Sequence, residues 1–151
     1  MPKVSKARNP HFETLSVEAK SFNERNDCTV KALAVGARIS YAEAHEALRK
    51  KGRRNGKGFY SHAIVSELTA RGFKVSHVEP SDVVDSYPAG HRGYVAPTMS
   101  HFDKYRKVYG NKRLLVRVRG HVAFYDGENG LVDWSVGRSL RITDFWVVED
   151  A

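Results

Sequence analysis

Helix-type patterns fill the first half of this chain and strand-type patterns its last third, and this segregation constrains the fold more than any other feature. Apolar residues recur at helical spacing in Tyr41, Ala44, Ala47 and Leu48, and again in Ile64, Val65 and Leu68. From Leu114 onward the pattern changes to short runs of Val, Leu and aromatic residues. These runs are punctuated by Asp126-Gly127 and Asn129-Gly130, two dipeptides suited to hairpin turns. Helices first and antiparallel strands last predict an α+β domain.

The local signals place the elements. Asn26 or Asp27 can accept a hydrogen bond from the free N–H groups of a helix that begins at Cys28, with Gly36 as its expected end. Ser40 and Glu43 have the spacing of a capping box, so a second helix starts there and stops before Gly52. A Gly-, Arg- and Lys-rich loop covers 52–58, a third helix 61–70 and a strand 73–78. Residues 80–97 read as loop and 100–108 as a short basic helix. Strands are expected at 114–119, continuing at 122–125 beyond Gly120-His121, then at 131–134 and 142–148. Residues 1–20 show no sustained period and read as a loose basic arm ahead of one domain spanning 21–151.

The 151 residues carry a formal net charge of +8, which favours acidic or phosphate-rich partners. Arg49, Lys50, Lys51, Arg53, Arg54 and Lys57 form one basic cluster, a candidate surface for nucleic acid or an acidic partner. A second lies between Lys104 and Arg119, where Phe102, Tyr105 and Tyr109 could stack on bases. No apolar run approaches the roughly 18 residues that span a membrane, and Met1 to Pro10 lacks an apolar signal core. A cytoplasmic protein without a membrane partner is expected. The single cysteine excludes an intrachain disulfide and a multi-cysteine zinc site. The histidines have no metal-ligand spacing, so neither metal nor cofactor is expected.

Chemistry concentrates on Cys28. Unpaired N–H groups and the helix dipole stabilise negative charge at a helix start, which favours a thiolate and can later hold an oxyanion. His121 lies near a hairpin. A three-residue loop at 126–128 would set residue 121 opposite residue 133, pairing the imidazole with Asp133. A turn centred on Asn129-Gly130 would instead set Asp133 opposite Asp126 and separate the pair. In such a triad the histidine takes the thiol proton and returns it to the leaving group, while the carboxylate fixes the ring tautomer. The electrophile is an acyl carbon. Asp126 is the rival orienter, and Trp134 would shield the pair from water.

The segments Asn26-Asp27-Cys28 followed by Val30-Lys31-Ala32-Leu33-Ala34, Gly120-His121-Val122-Ala123-Phe124 and Val132-Asp133-Trp134 resemble papain-like cysteine peptidases, especially the double-glycine leader peptidases. Together with Tyr41-Ala42-Glu43-Ala44-His45, the first segment is also similar to small uncharacterised phage proteins of that fold. The resemblance implies N-terminal helices, with the cysteine on the first buried one, packed against a C-terminal antiparallel sheet. It implies Cys28, His121 and Asp133 as the triad of a peptidase or amidase acting on a peptide or protein, in the host cytoplasm or the virion. Thr29 stands where leader peptidases often have glycine, and the chain has no glutamine for the oxyanion hole, for which Asn23 and Asn26 are the substitutes. The competing expectation is a degenerate member serving as a basic binding or virion accessory protein for nucleic acid or a host protein.

Overall fold

The computed structural model describes residues 10–22, 24, 27–54, 57–78, 112–126, 130–132 and 141–150. Among these the chain forms helices α1 (Pro10–Ser21), α2 (Cys28–Ala37), α3 (Tyr41–Lys50) and α4 (Ser61–Ala70). Five strands follow: β1 (Lys74–Val78), β2 (Leu114–Val118), β3 (His121–Asp126), β4 (Gly130–Val132) and β5 (Ile142–Glu149). They build one antiparallel sheet in the order β1-β5-β2-β3-β4. The α+β class follows, with helices ahead of the sheet. The expected loop at 80–97 and helix at 100–108 lie outside the described residues, as do Phe102, Tyr105, Tyr109 and Trp134.

The helix α2 is almost wholly apolar, and eight of its ten residues are buried. It lies between β3 and the helices α3 and α4. Gly36 was expected to end it, yet sits inside it. A Cβ at this position would stand 2.9 Å from Phe124 Cε2 on β3, so the glycine is what lets the helix approach the sheet. Arg38 makes the exit instead, at φ 57°, and the Ile39 N–H closes on the Ala34 carbonyl at 3.0 Å. Arg113, just ahead of β2, donates to the last carbonyls of α2, Val35 and Gly36, at 3.2 and 2.7 Å. A cation there also meets the negative end of the helix dipole.

The α3 start is as expected: Ser40 Oγ accepts from the Glu43 N–H at 3.1 Å, and Tyr41, Ala44 and Leu48 form its buried face. The N-terminal reading needs correction. Residues 10–21 are helical, and Leu15 and Ala19 of α1 are buried in the same core as α2 and α3, so the loose arm does not extend to residue 20 and the folded unit does not begin at 21. Pro10 suits a first helical turn, where its missing N–H costs nothing.

Two hairpins also differ from expectation. Residues 114–125 do not form one run broken at Gly120-His121. Val118 pairs with His121, and Arg119-Gly120 is a tight turn that Gly120 makes possible at φ 75°. The second hairpin pairs Phe124 with Val132, Tyr125 with Leu131 and Asp126 with Gly130. Neither register considered from the sequence has these pairs. Gly130, which begins β4, sits at φ 74°, a backbone angle that glycine adopts readily.

Alternation divides the sheet. Leu115, Val122, Phe124, Val132 and Val148 join the helices in one buried cluster. Leu114, Val116, Val118, Ala123, Tyr125, Leu131, Ile142 and Phe145 form a second cluster on the opposite face. Between β2 and β5 the register shifts after Arg117, which pairs with Asp144, while Val118 pairs with Ile142. Thr143 is the extra residue, and such a bulge re-aims the side chains beside it.

Candidate active site

Cys28 is the first residue of α2 and is half-buried against the helical core. Asp27 precedes it as the N-cap, but its carboxylate makes no capping bond. Its oxygens are engaged elsewhere: Oδ2 accepts from the Tyr41 hydroxyl at 2.8 Å, and Oδ1 pairs with Lys31 Nζ at 3.2 Å. Burial, reinforced by that bond to Asp27, pushes the Tyr41 hydroxyl far above the usual tyrosine range, which keeps it a donor. The expected cap by Asp27 therefore does not form. Its side chain does not occupy the free N–H groups beside the thiol.

Just upstream, Glu24 is fully buried and accepts two bonds from Arg53, at 2.7 and 3.0 Å. The same carboxylate meets His45 Nε2 at 2.7 Å. This cluster ties the approach to Cys28 to α3 and to the start of the loop beyond it. Asn23 and Asn26, the expected oxyanion donors, lie outside the described residues.

Cys28 and His121 share a hollow. The tight turn at Arg119-Gly120 starts β3 at His121, which is half-buried. A cavity of about 320 Å³ is lined by Cys28 on one side, by the β2–β3 turn on another (Arg117, Gly120, His121, Val122), and by Gly58 to His62. The pleat sets Arg117 and Val122 on the helix face of the sheet and His121 with Val118 on the other. The cavity thus opens at the end of the sheet, where the two faces meet. Cys28, at a helix start, and His121 thus border one hollow of the protein.

The third member of the triad stands differently. The observed hairpin does not have the register that would put residue 133 across from residue 121, and Asp133 itself lies outside the described residues. Asp126, the rival, is at the far end of β3, about 17 Å along the strand from His121 at roughly 3.4 Å per residue. It is too distant to orient that ring.

Sequence reasoning missed the cavity's other wall. Tyr60 and His62 stack with ring centroids 5.1 Å apart and face solvent. Arg117 is half-exposed, and Asp144 holds it at 3.0 Å while also accepting from His77 and Thr143 at 2.9 Å each. The available signal was the aromatic run Phe59-Tyr60 directly after a glycine-rich loop.

The first basic cluster is not one surface. Arg53 is 4% exposed and bound to Glu24, so it does not face a phosphate or an acidic partner. Arg49 is held by Glu46 at 2.6 Å, and Lys51 is near Glu67 at 3.7 Å. Lys50, Arg54 and Lys57 remain exposed. Among the described residues no group of three or more His, Cys, Asp or Glu side chains could hold a metal ion, and no helix is long and apolar enough to cross a membrane. Comparison of the chain with known protein families, with curated proteins and with solved structures gave no match.

Proposed function

We propose that this protein is a cysteine hydrolase of papain-like type that cleaves a peptide or related amide. The observation that carries this reading is that the chain's only cysteine, at the head of the buried helix α2, lines the same cavity as His121 at the start of β3. His121 takes the Cys28 proton as the sulfur attacks the acyl carbon, forming a thioester after the tetrahedral adduct collapses. The proton then passes to the leaving amine. Water, activated by the same imidazole, hydrolyses the thioester and restores the thiol. The free N–H groups at the start of α2 are the nearest donors for the oxyanion. Asp133 is proposed as the residue that orients His121, on chain order and resemblance alone. A site in a host cytoplasm or a virion is part of the same proposal.

The test is turnover of a mixed peptide pool, read by mass spectrometry, for the wild-type chain and for Cys28→Ala, His121→Ala and Asp133→Asn. The reading expects cleavage by wild type only, with weak residual cleavage by Asp133→Asn. Equal cleavage by wild type and Cys28→Ala would remove the thiol from the chemistry. The degenerate, binding-only reading expects no cleavage by any of them.

A further inference from the structure

Gly58, Phe59 and Tyr60 line the cavity of Cys28 and also a second, more open hollow of about 460 Å³. The remaining walls of that second hollow are Gly52, Arg54 and Lys57. A chain laid across residues 58–60 therefore touches both. Among the described residues no aspartate or glutamate lines either hollow, whereas Arg54, Lys57, Arg117, His62 and His121 do. Three neighbouring cations of the same basic cluster are paired, Arg49 with Glu46, Lys51 with Glu67 and Arg53 with Glu24, and Lys50 lines neither hollow. Arg54 and Lys57 are exposed and make no ion pair with a described residue. Tyr60, 64% exposed, stands between them and the thiol as one of only two large apolar side chains so open among the described residues.

Positive charge that the protein leaves unneutralised beside a hollow favours a negative ligand. Nucleic-acid binding at useful affinity draws on several neutralised phosphates. Here two cations remain, in a concavity sized for side chains rather than for a strand of phosphates. Building on the hydrolase reading, we propose that the substrate is a peptide with acidic side chains near the scissile amide, held by Arg54 and Lys57 while the amide reaches Cys28.

The experiment uses the full chain as Cys28→Ala and two pools of fluorescent octapeptides, randomised except for two adjacent glutamates in one and two adjacent glutamines in the other. Anisotropy should show the glutamate pool binding about tenfold tighter, the scale of one charge-assisted contact. That preference should weaken with salt and vanish in Arg54→Ala/Lys57→Ala, but persist in Lys74→Ala on the opposite edge strand. Equal binding of the two pools overturns the proposal. So does a thymidine octanucleotide that displaces the glutamate pool and loses affinity in the double variant, which makes the hollow a nucleic-acid site. Cleavage by the wild-type chain is scored separately. Equal binding with cleavage sinks the acidic-peptide proposal alone. Preferential binding without cleavage sinks the hydrolase reading and leaves acidic-peptide recognition standing.

Discussion

Two places among the described residues where histidine and arginine come together differ in kind. At one, Glu24, Arg53 and His45 form a sealed cluster in which the carboxylate and guanidinium are 0% and 1% exposed. At the other, His121, His62 and Arg117 line an open cavity beside Cys28. The residue types overlap, but the first set is buried against itself and the second borders a space that a ligand can fill. A buried ion pair holds chain segments in place, and removing one member leaves an uncompensated charge. Burial and partners separate the sealed cluster from the proposed site, where composition alone does not.

The largest effects should divide the two clusters cleanly. Cys28→Ala or His121→Ala should lower turnover by roughly 10⁴-fold, as loss of a nucleophile or its base does elsewhere, with a urea midpoint near that of wild type. Arg53→Ala should do the reverse, costing about 3–5 kcal/mol of stability in urea denaturation because the Glu24 charge stays buried. A stable Arg53→Ala chain would erase the distinction.

Smaller changes sharpen the same picture. Gly36→Ala sets a methyl against Phe124, an overpacking cost of about 1–3 kcal/mol that outweighs the gain of about 0.5–1 kcal/mol in helix propensity. Thermal melting should report the net loss. Tyr41→Phe leaves the Asp27 carboxylate one bond short in a buried site, and about 1–3 kcal/mol should disappear from the unfolding free energy.

The smallest effect is set by pH. Burial pushes the Asp144 carboxyl up, but bonds from His77, Thr143 and Arg117 outweigh it and hold the group below the usual carboxylate range. A depressed folded value means the stabilisation is complete above the unfolded value of about 4 and is lost as pH falls through the lower folded value. Asp144→Asn should therefore lose less stability than wild type between about pH 5 and about pH 2. Parallel losses in the two chains would show that the Asp144 bonds contribute nothing.

What the sequence revealed, and what it hid, follows from how local each signal is. The start of α3 was readable because Ser40 and Glu43 act on each other across one turn. The α4 boundaries and the strands β2 and β5 were readable for the same reason: their patterns lie within a few residues. By contrast, α1 shows only Leu15 and Ala19 buried, and Val17 between them is 67% exposed, which blurs its period. Gly36 looked like a helix end because its actual reason, Phe124, is remote in sequence. Arg53 looked like one more surface cation because its partner Glu24 is 29 residues away. Cys28 and His121 were legible as types and in order, but the cavity wall from Gly58 to His62 meets Cys28 only through tertiary packing, which no local pattern encodes. The hairpin register was not legible because two turn dipeptides compete within five residues, and the observed pairing of Asp126 with Gly130 matches neither.

The most direct test is the rate at which iodoacetamide alkylates Cys28 near neutral pH, in the wild-type chain and in His121→Ala. A thiol whose proton is taken by a neighbouring imidazole should react much faster than a simple thiol in solution, and the His121→Ala chain should fall back toward that reference. Slow labelling that does not change when His121 is removed would contradict the account, because the two side chains would then share a cavity without sharing a proton.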